Sequence, residues 1–302
     1  MELINIKGGT YLIKGGTNTG VYIHNNDAIV IDPGLGGSRP KRIIKILEEN
    51  NIDLKFIINT HEHNDHYGAC SQFKETNENV KIVSSAYSKV YIENSELFSK
   101  YVIGGKTNDF MESKLKNKSM DKVRIDIEVD EGRVSLDGIK VEIIEFKGHT
   151  PGSIGILTND KVLFVGDLLV GVDILEKFDF LFLYDIKDEI DSLKKLEQIE
   201  FEYLVLGHSK KVISKDESYN LILKHRSCIE KYVSQIKEKL NTPITLESLL
   251  KNIIIDNDLK CNYKEYHFFK TSLISAISYL AELGEIDYLL KDGDLLYYTK
   301  IK

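Results

Sequence analysis

The run His61-Glu62-His63-Asn64-Asp65-His66 constrains this chain more than any other feature. Imidazole and carboxylate side chains are the ligand types that suit zinc, iron or manganese. The apolar segment Leu54 to Asn59 reads as a strand that delivers the chain into the run, and a helix is expected to start near Asn64 or Asp65. The loop between them aims His61 and His63 at one point. Asp65 and His66 then project from the first helical turn toward a neighbouring point, an arrangement for two metals rather than one.

One short run cannot close two coordination spheres, so the remaining ligands are sought at the ends of other strands. His149 follows an apolar stretch, inside Gly148-His149-Thr150-Pro151-Gly152. Asp167 follows another as Gly166-Asp167, and His208 a third as Gly207-His208-Ser209. A glycine beside each lets backbone approach a crowded site, and Pro151 stiffens the His149 loop. The chain has eight histidines, and five stand at these positions. His24, His225 and His267 are read as structural or surface residues.

Around these ligands the pattern alternates strands and helices. Short strands are expected at Glu2 to Ile6, Thr10 to Lys14, Val21 to His24 and Ala28 to Asp32, then a helix over Arg39 to Asn50 with Ser38 as its cap. The segment 85–120 reads as two helices around a loop at Gly104-Gly105. Strands follow at Val123 to Ile127, Lys140 to Glu145, Ser153 to Leu157, Lys161 to Val165 and Tyr203 to Leu206, with a helix over Lys187 to Ile199. Beyond residue 214 the character changes. A long helix, Asp216 to Leu240, stops at Asn241-Thr242-Pro243, and Thr245 caps the next. A helix over Tyr266 to Leu283 carries Phe269, Leu273, Ile274, Ile277, Leu280 and Ala281 on one face. Asp292-Gly293-Asp294 then joins two strands as a hairpin.

Composition narrows the function classes. The net charge of −7 argues against a chain-wide nucleic-acid grip. No apolar stretch is long enough for a membrane span, and the first residues do not read as a signal peptide. Cys70, Cys228 and Cys261 are too few and too scattered for a disulfide framework, so a reducing cytoplasm is the expected location.

With these residues in view, the sequence resembles the metallo-β-lactamase-fold superfamily. The matching residues are Thr60 through His66, Gly148-His149-Thr150-Pro151-Gly152-Ser153, Gly166-Asp167 and Gly207-His208, with Ile31-Asp32-Pro33-Gly34 as an early turn. The likeness covers roughly residues 1–212. It implies an α/β (α+β) chain with a four-layer αββα sandwich and the site at one edge of the two sheets. It implies a catalytic domain over 1–213, with 85–120 as a helical insertion near the site, and a small winged-helix-like domain over 214–302.

The resemblance assigns His61, His63 and His149 to a first divalent metal and Asp65, His66 and His208 to a second, with Asp167 bridging. Zinc is the default, and iron or manganese suit the same ligands. Asp32 is expected to support the ligand loop from behind. The implied chemistry is hydrolysis by a hydroxide shared between the metals, with Asp65 orienting it or taking its proton. An aspartate rather than a cysteine at the bridging position looks more like glyoxalase-II-type, lactonase and phosphodiesterase members than true β-lactamases. The expected substrate is a small ester, thioester or lactone, and the rival is a phosphodiester or RNA on the same cage. Di-iron oxygen or nitric oxide reduction is disfavoured, because that class places a carboxylate where His63 stands and adds a flavin domain.

Two segments are candidates to shape the substrate pocket: 85–120, with Tyr87, Tyr91, Phe98, Tyr101, Phe110 and Met111, and the aromatic stretch Phe178 to Tyr184. The second reads either as packing between domains or as a substrate-facing wall, and no individual substrate-binding residue is assigned. The winged-helix-like tail raises DNA binding, and its charge argues against it. Residues 214–302 carry 13 Lys or Arg and 13 Asp or Glu, and the candidate recognition helix offers Lys270 without arginine. The tail is read instead as capping the site or forming a homodimer.

Overall fold

The computed structural model describes residues 1–115 and 122–300. Seven strands form the first sheet: β1 (Ile4–Lys7), β2 (Thr10–Ile13), β3 (Thr19–His24), β4 (Asp27–Ile31), β5 (Asp53–Ile58), β6 (Lys81–Ser84) and β7 (Ile127–Glu128), lying side by side in chain order. The pairs from β1 to β4 are antiparallel, and those from β4 to β7 are parallel. The second sheet runs β13-β12-β11-β10-β9-β8, from β8 (Gly132–Leu136), β9 (Ile139–Glu145), β10 (Ile154–Thr158), β11 (Val162–Phe164), β12 (Tyr203–Val205) and β13 (Ile213–Ser214).

Period-two alternation builds the layers. Ile29, Ile31, Phe56 and Ile58 of the first sheet face Val141, Ile143, Ile156 and Phe164 of the second, and this core joins the sheets. The alternate residues Ala28, Val30, Ile57 and Ile82 point outward against a helical layer. That layer contains α1 (Ser38–Glu49) and α3 (Cys70–Thr76), which follows the single turn α2 (Asn64–Tyr67). The expected cap Ser38 is instead the first residue of α1, and Gly37 precedes it at φ 103° without a side-chain cap.

The segment 85–120 holds three helices rather than two: α4 (Ala86–Glu93), α5 (Glu96–Ile103) and α6 (Asp109–Leu115). Ser85 caps α4 by accepting from the Ser88 amide, and Gly104 ends α5 at φ 81°. Its remaining residues, from 116, lie outside the described ones. The expected strand Val123 to Ile127 shrinks to β7, because side chains take part of the pairing there. The Glu93 carboxylate accepts from the Ile125 amide, and the Asp126 carboxylate accepts from the Ile82 amide. Strands β6 and β8 are not anticipated from the sequence; both are short and gain their pairing from neighbours.

The fourth layer covers the outer face of the second sheet. It contains the one-turn α7 (Val172–Leu175), then α8 (Ile186–Gln198), α9 (Lys215–Lys239), α10 (Leu246–Asp256) and α11 (Tyr263–Glu282). Ile144, Leu157, Leu163 and Leu204 of the sheet share one apolar cluster with Leu193 of α8, Ile222 of α9, Leu250 of α10 and Leu273 of α11. Thr245 caps α10 as expected. Helix α11 starts one turn earlier than expected, where Asn262 and Glu265 form a capping box. Its buried face takes Ser272, Ser275 and Ala276, while Ile274 is 49% exposed and Ala281 is also exposed. Helix α11 packs on α8, α9 and α10 together, and also on α5 and α6, so its buried face is wider than a single stripe and differs from the expected one. Strands β15 (Ile286–Lys291) and β16 (Asp294–Thr299) close the chain around Asp292-Gly293, and β14 (Ile244–Thr245) joins them as a third strand. No described helix is long and apolar enough to cross a membrane.

Candidate metal centre

Every expected ligand arrives from the same edge of the sandwich. Strand β5 ends at Ile58, and buried Asn59 and Thr60 lead into the His61 loop. His63 is the extended residue before α2, so Asp65 and His66 stand in that helix's single turn. His149 follows β9, Asp167 follows β11 and His208 follows β12. The glycines beside them are sterically required. A Cβ on Gly207 would lie 2.3 Å from Asp167 Oδ1, and one on Gly166, at φ 54°, would lie 2.5 Å from Thr60 Oγ1.

The side chains converge in two groups. His61, His63, His149 and Asp167 offer ligand atoms within 4.8 Å of one another, and so do Asp65, His66 and His208. Asp167 stands between the groups. Its Oδ2 is 3.9 Å from His61 Nε2, 3.7 Å from His149 Nε2 and 3.4 Å from His208 Nε2, and its Oδ1 is 3.3 Å from His66 Nε2. Nε2 of His61 and His66 and Oδ1 of Asp167 are buried without a hydrogen-bond partner. Buried polar atoms are seldom left so, and nitrogen and carboxylate donors aimed at one point fit divalent cations.

The outer nitrogen of four imidazoles is fixed by an acceptor. His149 Nδ1 donates to the Phe182 carbonyl at 3.0 Å, and His208 Nδ1 to the Gly16 carbonyl at 2.7 Å. His66 Nδ1 donates to Asp32 Oδ2 at 2.8 Å. Thr60 Oγ1 donates to Asp32 Oδ2 at 2.7 Å and so accepts from His61 Nδ1 at 3.1 Å. Each contact leaves Nε2 free to face inward.

Electrostatics distinguish the two groups. Burial holds His61, His63 and His149 below the ordinary imidazole range, which favours the neutral ligand form. Burial also opposes charge on His66, and the carboxylates of Asp167 and Asp32 outweigh it, raising His66 well above that range. The Asp167 charge pushes His208 up to about 10 against burial. Burial opposes ionisation of Asp167, yet His66 and His208 hold it well below the usual carboxylate range.

Glu62 had no assigned role in the sequence reading. Its buried carboxylate accepts from Ser88 Oγ at 2.7 Å and Thr150 Oγ1 at 2.9 Å, tying the first ligand loop to α4 and to the His149 loop. A cavity of about 170 Å³ opens onto the histidines. Of the expected walls, Tyr91, Phe98 and Phe182 line it. Phe180 is instead buried against Tyr232 and Phe269, while Phe110 is 63% exposed. The aromatic stretch thus divides by alternation between core and cavity. Lys264 and Phe268 of α11 also line the cavity, and no local sequence signal marks them. His225 is buried with both ring nitrogens hydrogen-bonded, and stands apart from both ligand groups.

Residues 12–208 match the family model of the metallo-beta-lactamase superfamily. The chain is 30% identical over 257 residues to the hydroxyacylglutathione hydrolase of Pelagibacter ubique, covering 79% of this chain and 91% of that protein. It is 25% identical over 244 residues to the enzyme of the same name from Prochlorococcus marinus, covering 80% of this chain and 82% of the other. Further relatives of that name align over about half of this chain, one of them over 49% of its own length. A beta-lactamase domain protein from Burkholderia ambifaria shares the fold at a TM-score of 0.75 and 13% identity, over 99% of this chain and 93% of that one.

Proposed function

We propose, from the premise that this chain belongs to the metallo-beta-lactamase superfamily and is a metal-dependent hydrolase, that it uses two divalent cations to hydrolyse a small ester, thioester or lactone. The observation that carries this reading is the position of Asp167 between the two ligand groups. His61, His63 and His149 would hold one cation, Asp65, His66 and His208 the other, and Asp167 both; zinc is the preferred ion for this donor set. Cations held there supply Lewis acidity and make water a nucleophile at neutral pH.

The chain's own residues do the rest. Asp65 lines the cavity beside His208, at 3.1 Å from Nε2, and is assigned the handling of the water proton. Asp32 and Thr60 hold the tautomers of His66 and His61. Phe98 and Phe182 exclude water from one side of the site, since both rings pack against His63. The hydroxyacylglutathione-hydrolase relatives support a thioester within the substrate class. The rings of Phe98, Phe182 and Phe268 in the cavity wall support an acyl substrate over a phosphodiester chain. A panel of thioesters, lactones, phosphodiesters and RNA, assayed beside a metal-stripped control, tests the reading. Metal-dependent turnover of an ester-type substrate is expected; turnover confined to phosphodiesters or RNA, or persisting without metal, overturns it.

A further inference from the structure

We propose that the free edge of strand β15 pairs with β15 of a second copy of this chain, joining the two terminal sheets into one across a two-fold axis. The three strands lie in the order β14-β16-β15, so β15 has no strand beyond it among the described residues. Asp292 and Gly293 both take positive φ, at 53° and 91°, which makes the two-residue turn whose flanking pair is hydrogen-bonded. That pair is Lys291 and Asp294. Alternation then turns the amides and carbonyls of Asp287, Leu289 and Lys291 to β16, and those of Tyr288 and Leu290 to the free edge. Two contacts agree with this parity. The Lys300 amide donates to the Glu285 carbonyl at 2.9 Å. The outward Tyr288 amide, with no strand beside it, donates to the Asp287 carboxylate of its own chain at 2.9 Å.

The side chains along this edge are complementary to themselves. A two-fold contact sets the two strands antiparallel, and outward groups must oppose outward groups, so the axis passes at a residue of the strand. At Leu289 it places Tyr288 opposite Leu290 of the second copy, where the two exchange both N–H···O bonds. It also places Asp287 opposite Lys291 of the second copy, and the symmetry repeats each pair. An axis at Tyr288 or at Leu290 would set Asp287 or Lys291 against Leu289 and leave the charges unmatched. Among the described residues Lys291 has no ion pair, and Asp287 has only an exposed one, to Lys300 at 3.7 Å. The other face of the strand is apolar. Tyr288 and Leu290 share it with Ile286, a member of the buried core cluster. Yet Tyr288 is 61% exposed and Leu290 73%, and Leu295, opposite Leu290 on β16, is 42% exposed. The core face thus runs on past the helices uncovered. Pairing of the edges gathers these three residues of both copies on one side of the joined sheet as a cross-strand cluster.

Analytical ultracentrifugation of the full-length protein over a concentration series at low salt tests this. Wild type should sediment as a dimer. The Leu290 amide faces outward, so Leu290→Pro removes an edge donor without taking a bond from β16, and this variant should be monomeric. Lys291→Asp sets like charges opposite one another at both symmetric pairs and should weaken the dimer by about tenfold or more. Adding Asp287→Lys to it restores opposite charges at each pair and should recover most of that loss. Far-UV circular dichroism and metal content report whether each variant is folded, and if Leu290→Pro is not, the charge exchange decides. A wild type that is monomeric at every concentration overturns the proposal. So does a dimer that Leu290→Pro or Lys291→Asp leaves intact, which would place the contact on another surface. A double variant that associates no better than Lys291→Asp overturns the pairing about Leu289.

Discussion

Asp32 accepts a hydrogen bond from His66 directly and from His61 through Thr60, so one carboxylate orients an imidazole in each of the two ligand groups. It does so from the left-handed region, at φ 51°, a conformation that aspartate and asparagine tolerate better than most residues.

That geometry makes Asp32→Asn a clean probe. Asparagine suits the same backbone, but Asp32 uses both carboxylate oxygens as acceptors, Oδ2 for His66 and the Thr60 hydroxyl and Oδ1 for the Thr60 amide, and a carboxamide has one acceptor oxygen, so its NH2 must face a donor on one side. Metal affinity should fall by about 10- to 100-fold, measured by competition with a chelator. Affinity equal to wild type would remove Asp32 from the support of the ligands.

Asp167 lies against ligands of both groups, so Asp167→Ala should lower occupancy of both cations together. His24 stands at the end of β3, remote from the ligands, and His24→Ala should keep the wild-type metal content. Elemental analysis of purified protein distinguishes the two. An Asp167→Ala protein that keeps one full equivalent of metal would contradict the bridging position.

His225 links α9 to the loop after Asp167. Its Nδ1 donates to the Leu221 carbonyl and its Nε2 accepts from the Val170 amide, so the fold holds it neutral, and burial pushes its pKa down to about 4. In the unfolded chain it titrates near 6.5. Between these values the unfolded state binds more protons. The contribution is therefore complete above about pH 6.5 and is lost as pH falls toward about 4, up to roughly 3 kcal/mol. Denaturant unfolding of wild type and His225→Phe at pH 7 and pH 5 checks this. The variant should be less stable at pH 7, and its deficit should shrink at pH 5. A deficit that does not change with pH would contradict the assignment.

Removing residues 214–302 should unfold the remainder. Ile222, Leu250 and Leu273 share a buried cluster with Leu163 and Leu204 of the second sheet. Their loss would expose that sheet face to water, at about 25 cal/mol for each Å² of apolar surface. Insoluble or non-cooperatively unfolding fragments are expected. A soluble 1–213 fragment with the melting temperature of the full chain would show that the sheet needs no cover.

The candidate ligand residues were legible as a group because their chemistry is rare and their settings local. Histidine and aspartate next to glycine at the end of an apolar stretch recur at His149, Asp167 and His208, and the structure brings all three to the His61–His66 run. The layered fold was legible for the same reason, since period-two alternation needs no distant information. Val123 to Ile127 was misread as a full strand because apolar and charged residues alternate along it, while its partners, Glu93 and the Ile82 amide, belong to other elements. The stretch Phe178 to Tyr184 showed aromatic density but not direction. Phe180 turns to the core and Phe182 to the cavity, and only the packed neighbours Tyr232 and Phe268 decide which.

The sequence by itself determined the donor set and the two-layer β framework, because ligand type and side-chain alternation are properties of neighbouring residues. Tertiary structure alone decided what surrounds the candidate metal centre. The acceptors that fix His149 and His208 are the carbonyls of Phe182 and Gly16, groups that every residue possesses and only folding can aim. Lys264 reads like any other lysine until α11 packs across the cavity and places it there. Reaction type follows from local chemistry, whereas selectivity follows from contacts between segments far apart in the chain.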